Sequence, residues 1–380
     1  MNKSIFLILG LSNGGLFLAR QLRKEFPSAV VLAIGNDMDI GKFSFTISRF
    51  YPANNAEEVN SAIMSILDSN LRQDRGRIRA FLTSNPMLEY AVFQFPQWFD
   101  LLEFENTYGT YSQLVDKSQV SALCSRMGIT MPREYDLLNE NLSALAFPVI
   151  VKPREKTETI GAKKCAIFED SISLTGYLEH LKSLHIPVSK LICQKAIEGD
   201  NRWEYGFGGY YLNGVPIVSI AFYQFRQNPQ GLCCYAREMT DQNLVKDVAS
   251  FVNPIVKELK YSGFIEFDIK QDSKTKQLFL LDVNPRPWRS VDMLSVKIGV
   301  SSVFSPLLKN DYVEWRYPAK ELFSNKNRKN VPYALCRKIT GNAGFIKFKA
   351  LFDREDTKPY LIQRKRDIRS MMKSLLRRIL

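Results

Sequence analysis

The chain has 380 residues, 45% of them hydrophobic and 12% aromatic, which supplies cores for two or three domains and excludes a disordered chain. Its formal net charge of +13 points to anionic company (nucleotide, acidic sugar, nucleic acid or a membrane surface) without choosing among them. Six cysteines with no C-x-x-C spacing and two histidines, His180 and His185, argue against a zinc site and read as thiols of a reducing cytoplasm.

The opening "MNKSIFLILGLSNGG" has a lysine and an apolar run. The run is short, however, and glycines and an asparagine follow where a signal peptide needs its cleavage site. It reads instead as a strand, a glycine turn and a helix carrying Leu16, Leu18, Ala19 and Leu22 at near-helical spacing. "AVVLAI" and "IRAFLTSN" follow as buried strands, so about the first hundred residues predict a parallel α/β sheet. Gly10, Gly14 and Gly15, with Asp37 or Asp39 downstream, raise a dinucleotide site. The spacing is G-x-x-x-G-G and not G-x-G-x-x-G, which favours a structural tight turn. No segment is long and apolar enough to span a bilayer.

"TYSQLVDKSQVSALCSRMGITMPREY" predicts helix then turn, with Gly128 suited to a C-cap and Pro132 stopping continuation. "FPVIVKP" is a short apolar strand ending in Lys152, and the polar loop "REKTETIGAKK" leads to the strand "CAIF". The region from Lys190 to Phe225 is strand and turn, with Asn213-Gly214 as a hairpin signal. "QNLVKDVASFVNPIVKELKY" is an amphipathic helix, and "GFIEFDIKQDSKTKQLFLLDVNP" is two strands joined by a polar hairpin. In the tail, Ile368, Met371, Met372, Leu375, Leu376 and Ile379 share one helical face opposite a run of lysines and arginines. Such a helix suits an anionic membrane surface, or docking on its own domain or a second subunit.

The chemistry concentrates in "LFLLDVNPRPW". Asp282, Asn284 and Arg286 occupy alternate positions at the end of a strand and leave one face as a row. On the preceding arm, Glu266 of "GFIEF" would meet them across the ribbon at about 5 Å, with Asp268 as the alternative inward acid. Two carboxylates and an amide oxygen suit a hard cation such as Mg²⁺, which is usually shared with substrate phosphates. Lys152 and Lys117 stand where they can offer counter-charge, although each alone also reads as a surface lysine.

Taken together, these segments resemble the ATP-grasp superfamily of carboxylate–amine and carboxylate–thiol ligases, in order from the glycine turn to about Gly299. The resemblance implies an α/β and α+β chain: a Rossmann-like pre-ATP-grasp domain over 1–105, then a two-lobed ATP-grasp domain over 106–310. The small lobe would run over about 112–195 and the large lobe over about 196–305, with a C-terminal extension over 311–380 carrying the basic amphipathic helix. It implies ATP held by Lys117, Lys152 and Lys164, by Gln194, Lys195 and Ile197 at the hinge, and by Glu204 in the following strand. It further implies Mg²⁺ (or Mn²⁺) on Glu266, Asp282 and Asn284, with Arg286 on the transferred phosphoryl group.

"FYQFRQNPQG", "AREMT" and "VNPRPW" are similar to a group of bacterial carboxylate–amine ligases associated with cell-envelope polysaccharide synthesis, which implies substrate contacts for Arg226 and Arg237. The partners so implied are a small-molecule or sugar carboxylate and an amine or amino acid. A cytoplasmic location, peripheral membrane contact through the C-terminal helix, and a homodimer are further expectations. Three departures stand out: one glycine in the loop after Lys152, Asp282 in place of the usual glutamate, and Asn85 where relatives often have an acid. Two alternatives remain beside the ligase, namely a nucleotide-binding ATP-grasp protein without ligase activity and an NAD-binding oxidoreductase. Nucleic acid is the rival partner raised by net charge and by Trp203, Tyr205, Tyr210 and Tyr211, not the expected one.

Overall fold

A computed structural model describes residues 4–71, 78–154, 165–227, 233–296, 312–316, 345–349 and 351–379. The N-terminal unit contains strands β1 (Ile5–Leu9), β2 (Val30–Gly35), β3 (Arg49–Pro52) and β4 (Arg79–Leu82). They form a parallel sheet in the order β3-β2-β1-β4. Helices α1 (Asn13–Glu25) and α2 (Ala56–Leu71) connect them, and short helices α3 (Asn85–Glu89) and α4 (Trp98–Leu101) follow. β1 is buried on both faces, as parallel strands flanked by helices must be.

The glycine turn is used by the protein itself. Gly10 has φ +93°, a conformation side chains rarely adopt, and Gly14 lies so close to the carbonyl of Pro287 that an added Cβ would stand 2.7 Å from that oxygen. The Asp39 carboxylate accepts from the backbone N–H of Leu11 and of Asn36, both at 3.1 Å. The groups that raised a dinucleotide site therefore brace the turn and hold it against the segment after Asn284.

Helices α5 (Tyr108–Val115) and α6 (Lys117–Arg126) lead to a four-stranded antiparallel sheet. Its strands are β5 (Glu134–Tyr135), β6 (Val149–Pro153), β7 (Ala166–Phe168) and β8 (Leu191–Lys195), in the order β5-β8-β6-β7. One face, with Val149, Val151 and Cys193, is covered by α7 (Ser171–Ser183); Ile150, Lys152, Ile192 and Gln194 occupy the other. Although α6 falls within the segment expected as the small lobe, Val120, Leu123 and Cys124 join the core of the larger sheet.

That sheet comprises β9 (Glu204–Leu212), β10 (Val215–Gln227), β11 (Cys233–Glu238), β12 (Gly263–Gln271) and β13 (Leu278–Asn284). β14 (Tyr312–Arg316) and β15 (Phe345–Lys349) add to its edge, giving the order β13-β12-β9-β10-β11-β14-β15 among the described residues. Asn213 and Gly214, with φ +51° and +80°, form the two-residue turn between β9 and β10, as a type I′ hairpin requires. Ile265, Phe267, Ile269, Tyr205 and Val283 point to the face covered by α8 (Gln242–Glu258) and α6. On the opposite face, Ile220, Phe222, Cys234, Phe264 and Trp288 pack against Phe17 and Leu18 of α1.

The tyrosines that suggested stacking platforms are mostly in these cores: Tyr205 and Tyr211 are buried, and the Tyr210 hydroxyl donates to Glu105 at 2.8 Å. Helix α9 (Lys358–Ile379) begins by docking on the N-terminal unit through Tyr360 and Ile362, and Arg366 donates to the carbonyl of Met38. Just before it, Asp356 makes a buried ion pair with Arg20 of α1 at 3.0 Å. The side chains of 370–380, which carry most of the apolar face proposed for a membrane, lie outside the described residues. Among the described residues no helix is long and apolar enough to cross a membrane.

Glu105, at the junction of the N-terminal unit with the large sheet, gives a pH prediction. Burial pushes its carboxyl above the ordinary value of 4.5, and the Tyr210 hydrogen bond and the Arg79 charge only partly oppose this. Because the folded pKa exceeds the unfolded one, the native state binds the proton more tightly. That contribution to stability is present below 4.5 and is lost as pH rises through the raised folded value. Glu105→Gln should remove this dependence, so its melting temperature relative to wild type should climb as pH increases. Parallel melting profiles across the acidic range would show that Glu105 does not titrate abnormally.

Candidate functional site

The geometry starts from register. Glu266 pairs with Asn284 and Asp268 with Asp282 across the antiparallel β12–β13 ribbon. Directly opposed residues share a face, and residues two apart on a strand share it too, so all four polar side chains emerge together. Val283 and Phe267 leave on the other side, into the core under α8. The question of whether Glu266 or Asp268 is the inward acid thus has the answer that both are.

Asn284, 4% exposed, is the centre of this group. Its Nδ2 lies 3.2 Å from Asp268 and 3.5 Å from Glu266, while its Oδ1 accepts from Arg286 Nη2 at 3.3 Å. Gln224 of β10 donates to Asp268 at 2.7 Å, a contact that sequence pattern did not signal because the two residues are 44 positions apart. An amide N–H between two carboxylates offsets their repulsion, and a divalent cation would do so more strongly. Among the described residues no three His, Cys, Asp or Glu side chains gather into a closed metal cage. The open set of carboxylates fits a magnesium ion that takes its remaining oxygens from a phosphate ligand, and Asn284 joins them once its side-chain amide turns its oxygen toward them.

Arg286 is fixed from three sides. Nε donates to Asn85 Oδ1, Nη2 to Asn284 and Nη1 to the carbonyl of Pro287. Asn85 opens α3, so this contact joins the N-terminal unit to the acid-bearing ribbon across 201 positions.

Lys117 reaches the backbone beside Lys152. Lys117, the first residue of α6, donates to the carbonyl of Pro153 at 2.9 Å, and Pro153 directly follows Lys152. Gln194 shares the Lys152 face of the small sheet. Lys195 donates to the carbonyl of Phe147 at 2.7 Å, and Ile197 follows β8 in the connection to the large sheet. Glu204 pairs with Lys270 at 3.2 Å, on the same face of the large sheet as Glu266 and Asp268.

Two arginines were expected near a substrate. Arg237 is not brought to this face. It is paired with Tyr223 and its guanidinium lies 4.6 Å from the centre of the Phe225 ring. Tyr223 and its partner Tyr205 belong to the side covered by α8, so alternation sends Arg237 away from Glu266. Arg226 lies opposite Tyr235 at an irregularity of β10. Its side chain, like the whole of Lys164, lies outside the described residues.

No protein-family model matches the chain. A curated relative, the C-terminal section of the carbamoyl phosphate synthase large chain from Methanopyrus kandleri, is 21% identical over 197 residues. The match spans 50% of this chain and 35% of that protein. Among solved structures, N5-carboxyaminoimidazole synthetase from Staphylococcus aureus, complexed with ADP, is similar with a TM-score of 0.59 and 14% identity, covering 77% of this chain and 73% of that one. An L-amino acid ligase from Bacillus licheniformis has a TM-score of 0.57 and 12% identity, with 75% and 69% covered.

The chain has the ATP-grasp fold. The acid-bearing ribbon forms one edge of the seven-stranded sheet, and the Lys152 strand belongs to the four-stranded antiparallel sheet. The glycine turn and Asn85 belong to the N-terminal unit.

Proposed function

We propose that this ATP-grasp protein is an ATP-dependent carboxylate–amine ligase. The observation that carries the reading is the common face of Glu266, Asp268, Asp282 and Asn284, with Arg286 tied to Asn284 at its end. Glu266, Asp282 and Asn284 would hold Mg²⁺, which would offset the charge of the nucleotide's phosphates. Lys117 and Lys152 position the phosphates. Gln194, Lys195, Ile197 and Glu204 hold the nucleoside at the connection between the sheets, with Glu204 shared between Lys270 and a ribose hydroxyl.

A substrate carboxylate oxygen attacks the γ-phosphorus, the bond to the β-phosphate oxygen breaks, and ADP leaves. Arg286 faces the charge that spreads over the transferring group; one such preorganised donor lowers the barrier by about 3 kcal/mol. The amine then attacks the acyl carbon, phosphate departs, and the amine loses its proton, which balances as acid, amine and ATP giving amide, ADP and phosphate. No side-chain nucleophile is needed. By resemblance the acid is a sugar carboxylate of a cell-envelope precursor and the amine an amino acid, handled in the cytoplasm.

The test is a thermal-shift series with ATP, ADP and NAD, each with and without Mg²⁺, followed by ADP-release assays over panels of acids and amines. A ligand that binds only the folded state raises the melting temperature by mass action. Magnesium-dependent stabilisation by ATP, with ADP release on addition of one acid–amine pair, is expected. Stabilisation by NAD alone would replace this reading with a dinucleotide enzyme, and nucleotide binding without turnover on any pair would leave a nucleotide-binding protein.

A further inference from the structure

Asn85 meets the Arg286 guanidinium with an uncharged acceptor. A guanidinium has five N–H donors in a rigid plane. Three are directed to Asn85, Asn284 and the Pro287 carbonyl, which among the described residues leaves one on each terminal nitrogen for a ligand. All three acceptors are amide oxygens and none carries charge. Arg286 is therefore held in orientation by the protein while its positive charge is not cancelled by these partners. A carboxylate at position 85 would hold the same Nε equally well, but it would neutralise the cation and weaken its pull on an incoming anion.

We propose that Asn85 is a positioning residue for the reaction: it fixes the Arg286 guanidinium beside the Glu266–Asn284 face and, being uncharged, keeps the cation available for the transferring phosphoryl group. The inference rests on the ligase reading above and adds to it a residue from the preceding domain. It makes phosphoryl transfer dependent on the seating of the N-terminal unit, because Asn85 opens α3 of that unit and meets Arg286 across this contact.

The test uses the full-length chain as wild type, Asn85→Ala and Asn85→Asp, with affinities measured by calorimetry for MgADP and for MgADP with aluminium fluoride, a mimic of the transferring phosphoryl group. Wild type should bind the fluoride complex more tightly than MgADP alone. Both variants should bind MgADP within about twofold of wild type, since Asn85 lies on the phosphoryl side of the site. The tightening by aluminium fluoride should fall about tenfold in Asn85→Ala, through loss of orientation, and further in Asn85→Asp, through loss of charge.

Failure to bind MgADP in the wild type overturns the nucleotide reading itself. Normal MgADP binding with an unchanged fluoride increment in both variants overturns the role of Asn85 alone, as does a wild type that shows no increment. An aspartate variant with the wild-type increment overturns the charge argument. Equal weakening of both ligands, together with a lowered melting temperature, would mark a merely structural contact and overturn the proposal.

Discussion

Asp282→Asn should abolish the magnesium-dependent part of stabilisation by ATP while leaving the unliganded protein no less stable than wild type. The two halves of this result have separate causes. Asp268 and Asp282 stand directly opposite each other on β12 and β13, and like charges so placed destabilise a ribbon by a few tenths of a kcal/mol up to about 1 kcal/mol. Replacing one by its isosteric amide keeps shape and removes the repulsion. The same change takes away a carboxylate from the cation site proposed above, and affinity for MgATP should fall about a hundredfold. At a ligand concentration a hundred times the wild-type Kd, mass action supplies about 2.7 kcal/mol, and most of that should vanish. Melting curves with and without MgATP decide it. An unchanged ligand shift in the variant would remove Asp282 from the site.

Trp288→Ala should produce the largest loss of stability of any single change near the site, about 3–5 kcal/mol. Trp288 is 1% exposed and stacks on Phe222 with ring centres 6.3 Å apart. Its outer ring covers Gly208, where an added Cβ would lie 2.6 Å from Cη2. This stack belongs to the core that joins α1 to the large sheet, two residues along from Arg286. Its removal loosens the N-terminal unit from the grasp at the point where nucleotide chemistry is proposed. Trp288→Phe retains most of the ring and deletes an indole N–H that has no hydrogen-bond partner among the described residues, so it should cost far less. Denaturant unfolding of the two variants followed by circular dichroism checks the order. A phenylalanine variant as unstable as the alanine one would show that the indole's own shape is required.

Some of the fold was legible because the signals are local. Asn213-Gly214 marks its hairpin through backbone preference, and the apolar runs "IFLIL" and "VVLAI" become the buried parallel strands β1 and β2. The row Asp282, Asn284, Arg286 was readable from alternation along one strand, and Glu266 from the paired arm. The facing of Arg237 was not readable. A face is assigned only through partner strands, and β10 is irregular on either side of Arg226, where one extra residue reverses the alternation. The place of α6 was equally hidden, because its apolar stripe says that it packs but not against which sheet. Gln224 and Asn85 stand in stretches that the sequence singled out, but their partners were not readable there, because their contacts to Asp268 and Arg286 join distant parts of the chain.

By itself the sequence determined which segments are strands, which turn must be glycine and which residue types line the end of the acid-bearing strand, since these follow from backbone sterics and a two-residue period. Tertiary structure alone decided that four oxygen-bearing side chains share one face, that Asp39 and Gly14 brace the first turn, and that an asparagine from the preceding unit steadies Arg286. Those outcomes depend on strand register and on the docking of units far apart in the chain, which are set by the burial of whole faces and not by any local run of residues.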